Sequence, residues 1–243
     1  MSAPALRFAG VNKSFGRTKV LHDISFEIER GAFFGLVGIN GAGKTTLLKC
    51  LLDFCTFDSG SIGIFGAAHD APGARATLAF LPERLNPPYY LTGEDFIRYT
   101  LEMQSVRYER TAAESMMRAL DLDTAALTRP VRAYSKGMTQ KVGIAASLLC
   151  NKDLYIFDEP TSGLDPKARA LFKRQLQELK ERSRTVLFTS HALADVEELC
   201  DRMAVIHAGE LRFCGTPQGL CERFGSGELE PAFLNCIGGA VTA

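Results

Sequence analysis

Residues 38–46 read GINGAGKTT, following the apolar run AFFGLVG and running into the helix-like stretch TTLLKCLL. The pattern G-x-x-x-x-G-K-[ST] extends from Gly38 through Gly43 and Lys44 to Thr45. It demands one local architecture: a buried strand, a tight glycine turn and a helix that starts where the turn ends. The glycines let backbone N–H groups curl around an anion with no Cβ in the way. A helix opening at Lys44 points its positive end at the same place. Lys44 can then reach the outer phosphates of a nucleoside triphosphate, and the Thr45 hydroxyl can ligate Mg²⁺. A glycine turn between strand and helix can be mere punctuation, but here the flanking strand and helix fit a phosphate site.

The rest of the chain supplies the sheet and helices such a loop needs. ALRFAGVN and VLHDISFEIERG alternate as strands do, the second through Ile24, Phe26 and Ile28. AFFGLVG is continuously apolar, which suits a strand buried on both faces. SIGIFG and ATLAFLP read as further short strands. From about Leu85 to Pro130 the texture changes to helical spacing, in EDFIRYTLEMQ and RTAAESMMRALDL, with Thr92 and Glu94 at a helix start. Alternation then resumes: helix MTQKVGIAASLL, strand LYIFDEP, helix PKARALFKRQLQELKER opening near Pro166, strand TVLFTS, helix ALADVEELC, and a closing hairpin of MAVIHAG and ELRFCG. This pattern predicts an α/β fold with a mostly parallel sheet wrapped by helices. There is no internal repeat and no long linker.

Composition narrows the class of partner. Lys and Arg number 28 and Asp and Glu 28, so no global charge marks a nucleic-acid binder or a polybasic membrane anchor. The cysteines, Cys50, Cys55, Cys150, Cys200, Cys214, Cys221 and Cys236, form no C-x-x-C pair. They read as small buried hydrophobes in a reducing compartment. The N-terminus MSAPALRFAG lacks a basic segment followed by an apolar one, so no signal peptide is expected. The uncharged run Gly31 to Gly43 and the apolar tail Pro231 to Ala243 are too short to span a bilayer. The expected location is cytoplasmic.

Further motifs carry chemistry. LYIFDEP places Asp158 and Glu159 at the end of a buried strand. A carboxylate there can meet Mg²⁺, and the next one can hold and polarise an attacking water; the bland reading is an acidic turn closed by Pro160. In TSGLDPKARA, Gly163 permits an unusual turn and Asp165 can cap the helix that follows. In RAYSKGMTQ, Ser135 and Gly137 precede a helix, either as a second phosphate-binding device or as an ordinary N-cap. His191, in TSHALADVEE, follows a core strand, where ligands sit in open α/β sheets.

Taken in order, these motifs resemble the ATP-binding subunit of an ABC transporter across nearly the whole chain. GINGAGKTT resembles Walker A, LPE at Leu81 to Glu83 the Q-loop, and YSKGM at Tyr134 to Met138 the LSGGQ signature. LYIFDEP resembles Walker B with its glutamate, SGLD at Ser162 to Asp165 the D-loop, and His191 the switch histidine. Phe15 sits at the aromatic position that stacks on adenine. Any one motif is weak; the ordered set is specific. Two departures stand out: Glu83 replaces the Q-loop glutamine, and Lys136 and Met138 replace Gly and Gln of the signature.

The resemblance implies a P-loop NTPase with an N-terminal antiparallel β subdomain and a helical insert. Residues 1–83 and 139–224 would form the core, 84–138 the helical subdomain and 225–243 a tail. Glu159, His191 and Lys44 would be catalytic. Phe15, Gly38, Asn40, Gly41, Ala42, Gly43, Lys44, Thr45, Thr46, Ser135, Gly137 and Asp165 would bind ATP. Thr45, Glu83 and Asp158 would face Mg²⁺. Two such subunits would sandwich two ATPs, each site joining one chain's Walker motifs to the other's Ser135 and Gly137, so a homodimer is expected. The remaining partner would be an integral membrane permease, with no nucleic acid. YSKGM, LPE and the tail ELEPAFL resemble an exporter branch with separate permeases, on the inner face of the cell membrane. RLNPPYYLTGEDF, with Tyr89 and Tyr90, is either the docking edge or part of the insert's own core. The alternative is an ABC ATPase that works with soluble partners.

Overall fold

The computed structural model describes residues 3–238, so residues 239–243 of the expected tail lie outside the described residues. The chain groups into two compact units, Met1–Thr77 with Ser183–Ala243, and Leu78–Arg182.

The first unit begins with the antiparallel strands β1 (Leu6–Phe15) and β2 (Thr18–Ile28). β4 (Ser59–Ile64) pairs with the other side of β1, and the short β5 (Ala67–Ala68) closes this sheet. Alternation buries one face, where Phe8 stacks on Phe26 with centroids 4.6 Å apart, and Phe26 on Phe34 at 5.5 Å. Phe34 belongs to β3 (Phe33–Val37), every residue of which is buried. That confirms the reading of AFFGLVG as a strand covered on both faces.

β3 is flanked in parallel by β8 (Thr185–Ser190) and β9 (Arg202–His207), and β10 (Glu210–Gly215) adds an antiparallel edge to β9. After β3 comes α1 (Lys44–Leu51); the single turn α2 (Pro72–Arg75) follows β5. Between β8 and β9, α7 (Leu193–Leu199) lies so close to the sheet that a Cβ on Gly35 would stand 2.9 Å from both Val196 Cγ1 and Cys200 Sγ. The unit ends in α8 (Pro217–Arg223) and α9 (Leu229–Gly238). The pattern reading left both of these unassigned. Each is short, and α8 is set by local chemistry: the Thr216 hydroxyl accepts the Gly219 N–H, with Pro217 in the first turn.

The second unit pairs β6 (Leu78–Leu81) in parallel with β7 (Leu154–Asp158). Between them lie α3 (Gly93–Met103), α4 (Arg110–Ala119), 3₁₀ turns at Thr124–Thr128 and Val131–Ala133, and α5 (Lys136–Leu149). α6 (Pro166–Glu181) packs on β7 through an edge-to-face Phe157–Phe172 pair at 5.5 Å. The long connection needed between parallel strands is thus filled by the helical insert. Among the described residues no helix is long and apolar enough to cross a membrane.

Candidate nucleotide site

The phosphate loop leaves β3 at Val37 and delivers α1 at Lys44. Gly43 is the N-cap, at φ 111° and ψ −4°, a conformation that L side chains rarely adopt. A Cβ there would also press on Leu21 Cδ2 at 2.9 Å and on the Val20 carbonyl at 3.2 Å. At Gly38 a Cβ would collide with the Ile206 carbonyl. Both glycines are therefore required by this backbone.

Ile39, Asn40 and Gly41 form the exposed crown of the loop, and Ala42 and Gly43 are buried beneath it. The Lys44 ammonium, 8% exposed, donates to the Gly38 carbonyl at 2.5 Å and to that of Ile39 at 3.3 Å. Thr45 is exposed at the start of α1 and Thr46 half-buried. No acidic side chain occupies the first turn of α1, so that turn does not itself cancel the positive end of the helix.

Two more predicted residues lie in this unit. Phe15 ends β1 with half its surface exposed, and the Lys13 ammonium stands 4.9 Å from its ring centroid. Lys13, itself buried, is a neighbour that sequence reasoning missed; a strand lysine two residues before an aromatic lies on the same face, which was the available signal. His191 is exposed just beyond β8, next to a cavity of about 440 Å³ also lined by Leu193, Glu197, Glu228 and Glu230.

The second unit holds the carboxylates and the signature. Asp158 closes β7 and is 6% exposed. Glu159 follows at φ 49°, left-handed for a residue with a Cβ. Such a conformation costs roughly 1–3 kcal/mol and persists where surrounding contacts over-determine it. Those contacts form a string of turns: the Ser162 N–H donates to the Glu159 carbonyl at 3.1 Å and the Leu164 N–H to that of Thr161 at 3.2 Å. Gly163, at φ 79°, is covered by the Lys136 stem, whose Cε would stand 3.0 Å from an added Cβ.

Ser135 is the N-cap of α5, its hydroxyl accepting the Met138 N–H at 3.2 Å. Asp165 likewise caps α6, accepting the Ala168 N–H at 2.8 Å. The bland reading of each residue therefore holds in the fold, and Ser135 and Gly137 still stand at the exposed start of α5 beside Lys136. Glu83 is exposed in the loop after β6. Tyr89 and Tyr90 are each 68% exposed, so they do not fill the insert's core. Gln140, which sequence reasoning passed over, is buried and donates to the Pro160 carbonyl at 3.0 Å.

The chemistry of these donors suits a magnesium-bound nucleotide. A hydroxyl and carboxylates are hard oxygen ligands, and Mg²⁺ is usually held by one or two carboxylates together with substrate phosphates.

Residues 21–162 match the family described as ABC transporter. The chain is 37% identical to the Nod factor export ATP-binding protein I of Rhizobium leguminosarum bv. viciae, covering 91% of this chain and 72% of that one. It is 32% identical to the linearmycin resistance ATP-binding protein LnrL of Bacillus subtilis (strain 168), over 90% and 72% of the two chains. A solved structure of the ATP-binding subunit of an ABC transporter superposes with a TM-score of 0.87 at 29% identity, covering 96% of this chain and 99% of that one.

Proposed function

Because the chain belongs to the ABC transporter family as an ATP-binding subunit, we propose that it drives an exporter by binding and hydrolysing ATP on the residues described above. ATP hydrolysis that powers transport is the family's activity. The observation that carries the residue assignment is the phosphate loop. Its two sterically required glycines, the inward-folded Lys44 and a helix start with no acidic residue in its first turn suit an anion.

The proposed roles follow from placement. Gly38, Asn40, Gly41, Ala42, Gly43 and Thr46 wrap the phosphates with backbone amides and a hydroxyl, and Lys44 neutralises the outer ones. Phe15 offers its free face to adenine. Thr45 and Asp158 are proposed to hold Mg²⁺, with Glu83 on its water; when bound, the ion neutralises charge on the phosphate oxygens. Glu159 orients the attacking water and accepts its proton, and His191 contacts the γ-phosphate. Ser135, Gly137 and Asp165 serve the partner subunit's nucleotide. Loss of the γ-phosphate removes contacts that favour the closed dimer, so hydrolysis shifts the population toward the open one.

The chain acts as a single ATP-binding domain, with 84–138 as its helical subdomain and 225–243 as a tail. Its second ATPase subunit is a copy of itself, and it sits on the inner face of the cell membrane against a separate permease. Tyr89 and Tyr90 are proposed as part of the edge that meets this permease, since their exposure leaves two aromatic rings to be buried by a partner. The relatives named for Nod factor export and linearmycin resistance support the export direction.

The test is a trapped-state capture. Glu159→Gln, loaded with ATP and Mg²⁺, is used to draw partners from detergent-solubilised native membranes. Recovery of a polytopic membrane protein in stoichiometric amount is expected. Recovery of soluble proteins alone would sink the transport reading in favour of an ABC ATPase with soluble partners.

A further inference from the structure

We propose that Gln140 is a positioning residue for Glu159, acting through the carbonyl of Pro160; this rests on the reading of Glu159 as the water-orienting base. Glu159 stands at φ 49°, a conformation that a residue with a Cβ does not hold unaided. The backbone that keeps it there is a short run of turns from Glu159 to Leu164. Within that run the carbonyls of Glu159 and Thr161 accept N–H groups of Ser162 and Leu164. The carbonyl between them, that of Pro160, is taken by the Gln140 side-chain amide at 3.0 Å.

Gln140 is 5% exposed and Pro160 is buried. Removing the amide would leave a buried acceptor unsatisfied, which the turn can relieve only by moving. Pro160 contributes no N–H of its own, so its carbonyl is the one backbone hydrogen-bonding group it offers. The same helix start presses on the far end of the run. The Lys136 stem lies over Gly163, and a Cβ on Gly137 would stand 3.4 Å from the Gly163 carbonyl. The first two turns of α5 thus lie along the loop that carries Glu159, bonded to it at Pro160 and packed near Gly163. A misplacement of about 1 Å in such a group can lower a rate by up to about a hundredfold, so this clamp bears on turnover and not on nucleotide affinity.

The experiment measures ATP hydrolysis by the full chain with Gln140→Met, which keeps length and volume but removes the donor. Turnover is expected to fall about tenfold with ATP affinity nearly unchanged, and the melting temperature should drop by a few degrees for the unsatisfied carbonyl. In a Glu159→Gln background, the same substitution should alter the slow residual single-turnover hydrolysis by less than about twofold, because its effect passes through Glu159. An equal tenfold loss in both backgrounds would assign Gln140 a general structural role and overturn the proposal, as would unchanged turnover in Gln140→Met.

Should that variant fold poorly, Gln140→Glu supplies a second reading. Ionised, the introduced carboxyl cannot donate; protonated, it can. Its turnover relative to the parent should rise as pH falls, and a flat ratio overturns the proposal. If Glu159→Gln alone hydrolyses ATP at the parental rate, the base assignment itself has failed, an outcome distinct from any result at Gln140.

Discussion

One ammonium decides much of what the phosphate loop can do. Lys44 is nearly buried and donates to two loop carbonyls, so its stem is already ordered against the loop proposed to hold phosphate. Replacing it with alanine removes charge-assisted hydrogen bonds, each worth about 1.5–3 kcal/mol. Lys44→Ala should therefore weaken ATP binding about tenfold or more, as read by titration calorimetry. Glu159→Gln should do the opposite: bind ATP with near-parental affinity and lose turnover by about two orders of magnitude. If the two variants fail in the same way, the separation of binding from chemistry between them is wrong.

At the scale of the element, helix starts recur as built devices. α3 opens with a full capping box: the Thr92 hydroxyl accepts the Asp95 N–H at 3.1 Å, and the Asp95 carboxylate accepts the Thr92 N–H at 3.2 Å. The Thr92 hydroxyl and then its N–H hold the Asp95 carboxyl below its ordinary pKa. Glu94 instead pairs with Arg98 and Arg110, tying α3 to α4. Thr92→Ala should cost about 1 kcal/mol in a denaturant titration of the whole chain. ATP affinity of the single subunit should change little, because the cap reaches only the Tyr134–Ser135 segment, through Gly93 against Tyr134, and Ser135 is proposed to serve the partner subunit's nucleotide. The caps at Ser135 and Asp165 use the same chemistry, but on helices whose starts are also proposed to meet a partner's nucleotide.

For the molecule as a whole, the cysteines make stability sensitive to alkali. Burial, and then the neighbouring Cys55, push the Cys50 thiol from 9.0 up to about 12; burial pushes Cys150 up to about 11. Burial raises Cys214 and Cys236 in the same direction. Unfolded thiols ionise from about pH 9 while the folded ones stay protonated, so the unfolded state binds fewer protons in that interval. Stability is therefore full below pH 9 and falls as pH rises toward 11 to 12. Melting temperatures across that range should decline, and less steeply in Cys50→Ala than in the parent. A flat profile would contradict the burial of these thiols.

What could be read from residues alone was whatever short-range physics controls. A continuous apolar run had to be a doubly covered strand, and β3 and β7 are buried along their whole lengths. Gly38 and Gly43 read as glycines that let backbone N–H groups curl around an anion, and the fold adds close approaches that exclude a Cβ at both. The starts of α1 and α6 lie where Lys44 and Pro166 place them. The ordered motifs carried the family as well, since their spacing reflects the strand–loop–helix units that hold them. Other features depend on where the chain closes on itself. The Tyr89–Tyr90 pair was as consistent with core as with surface until the fold left it exposed. Gln140 belongs to none of the motifs, and only the tertiary structure brings it to a carbonyl 20 residues away. A hydrogen bond across that separation is set by the packing of a helix against a turn, which no local pattern encodes.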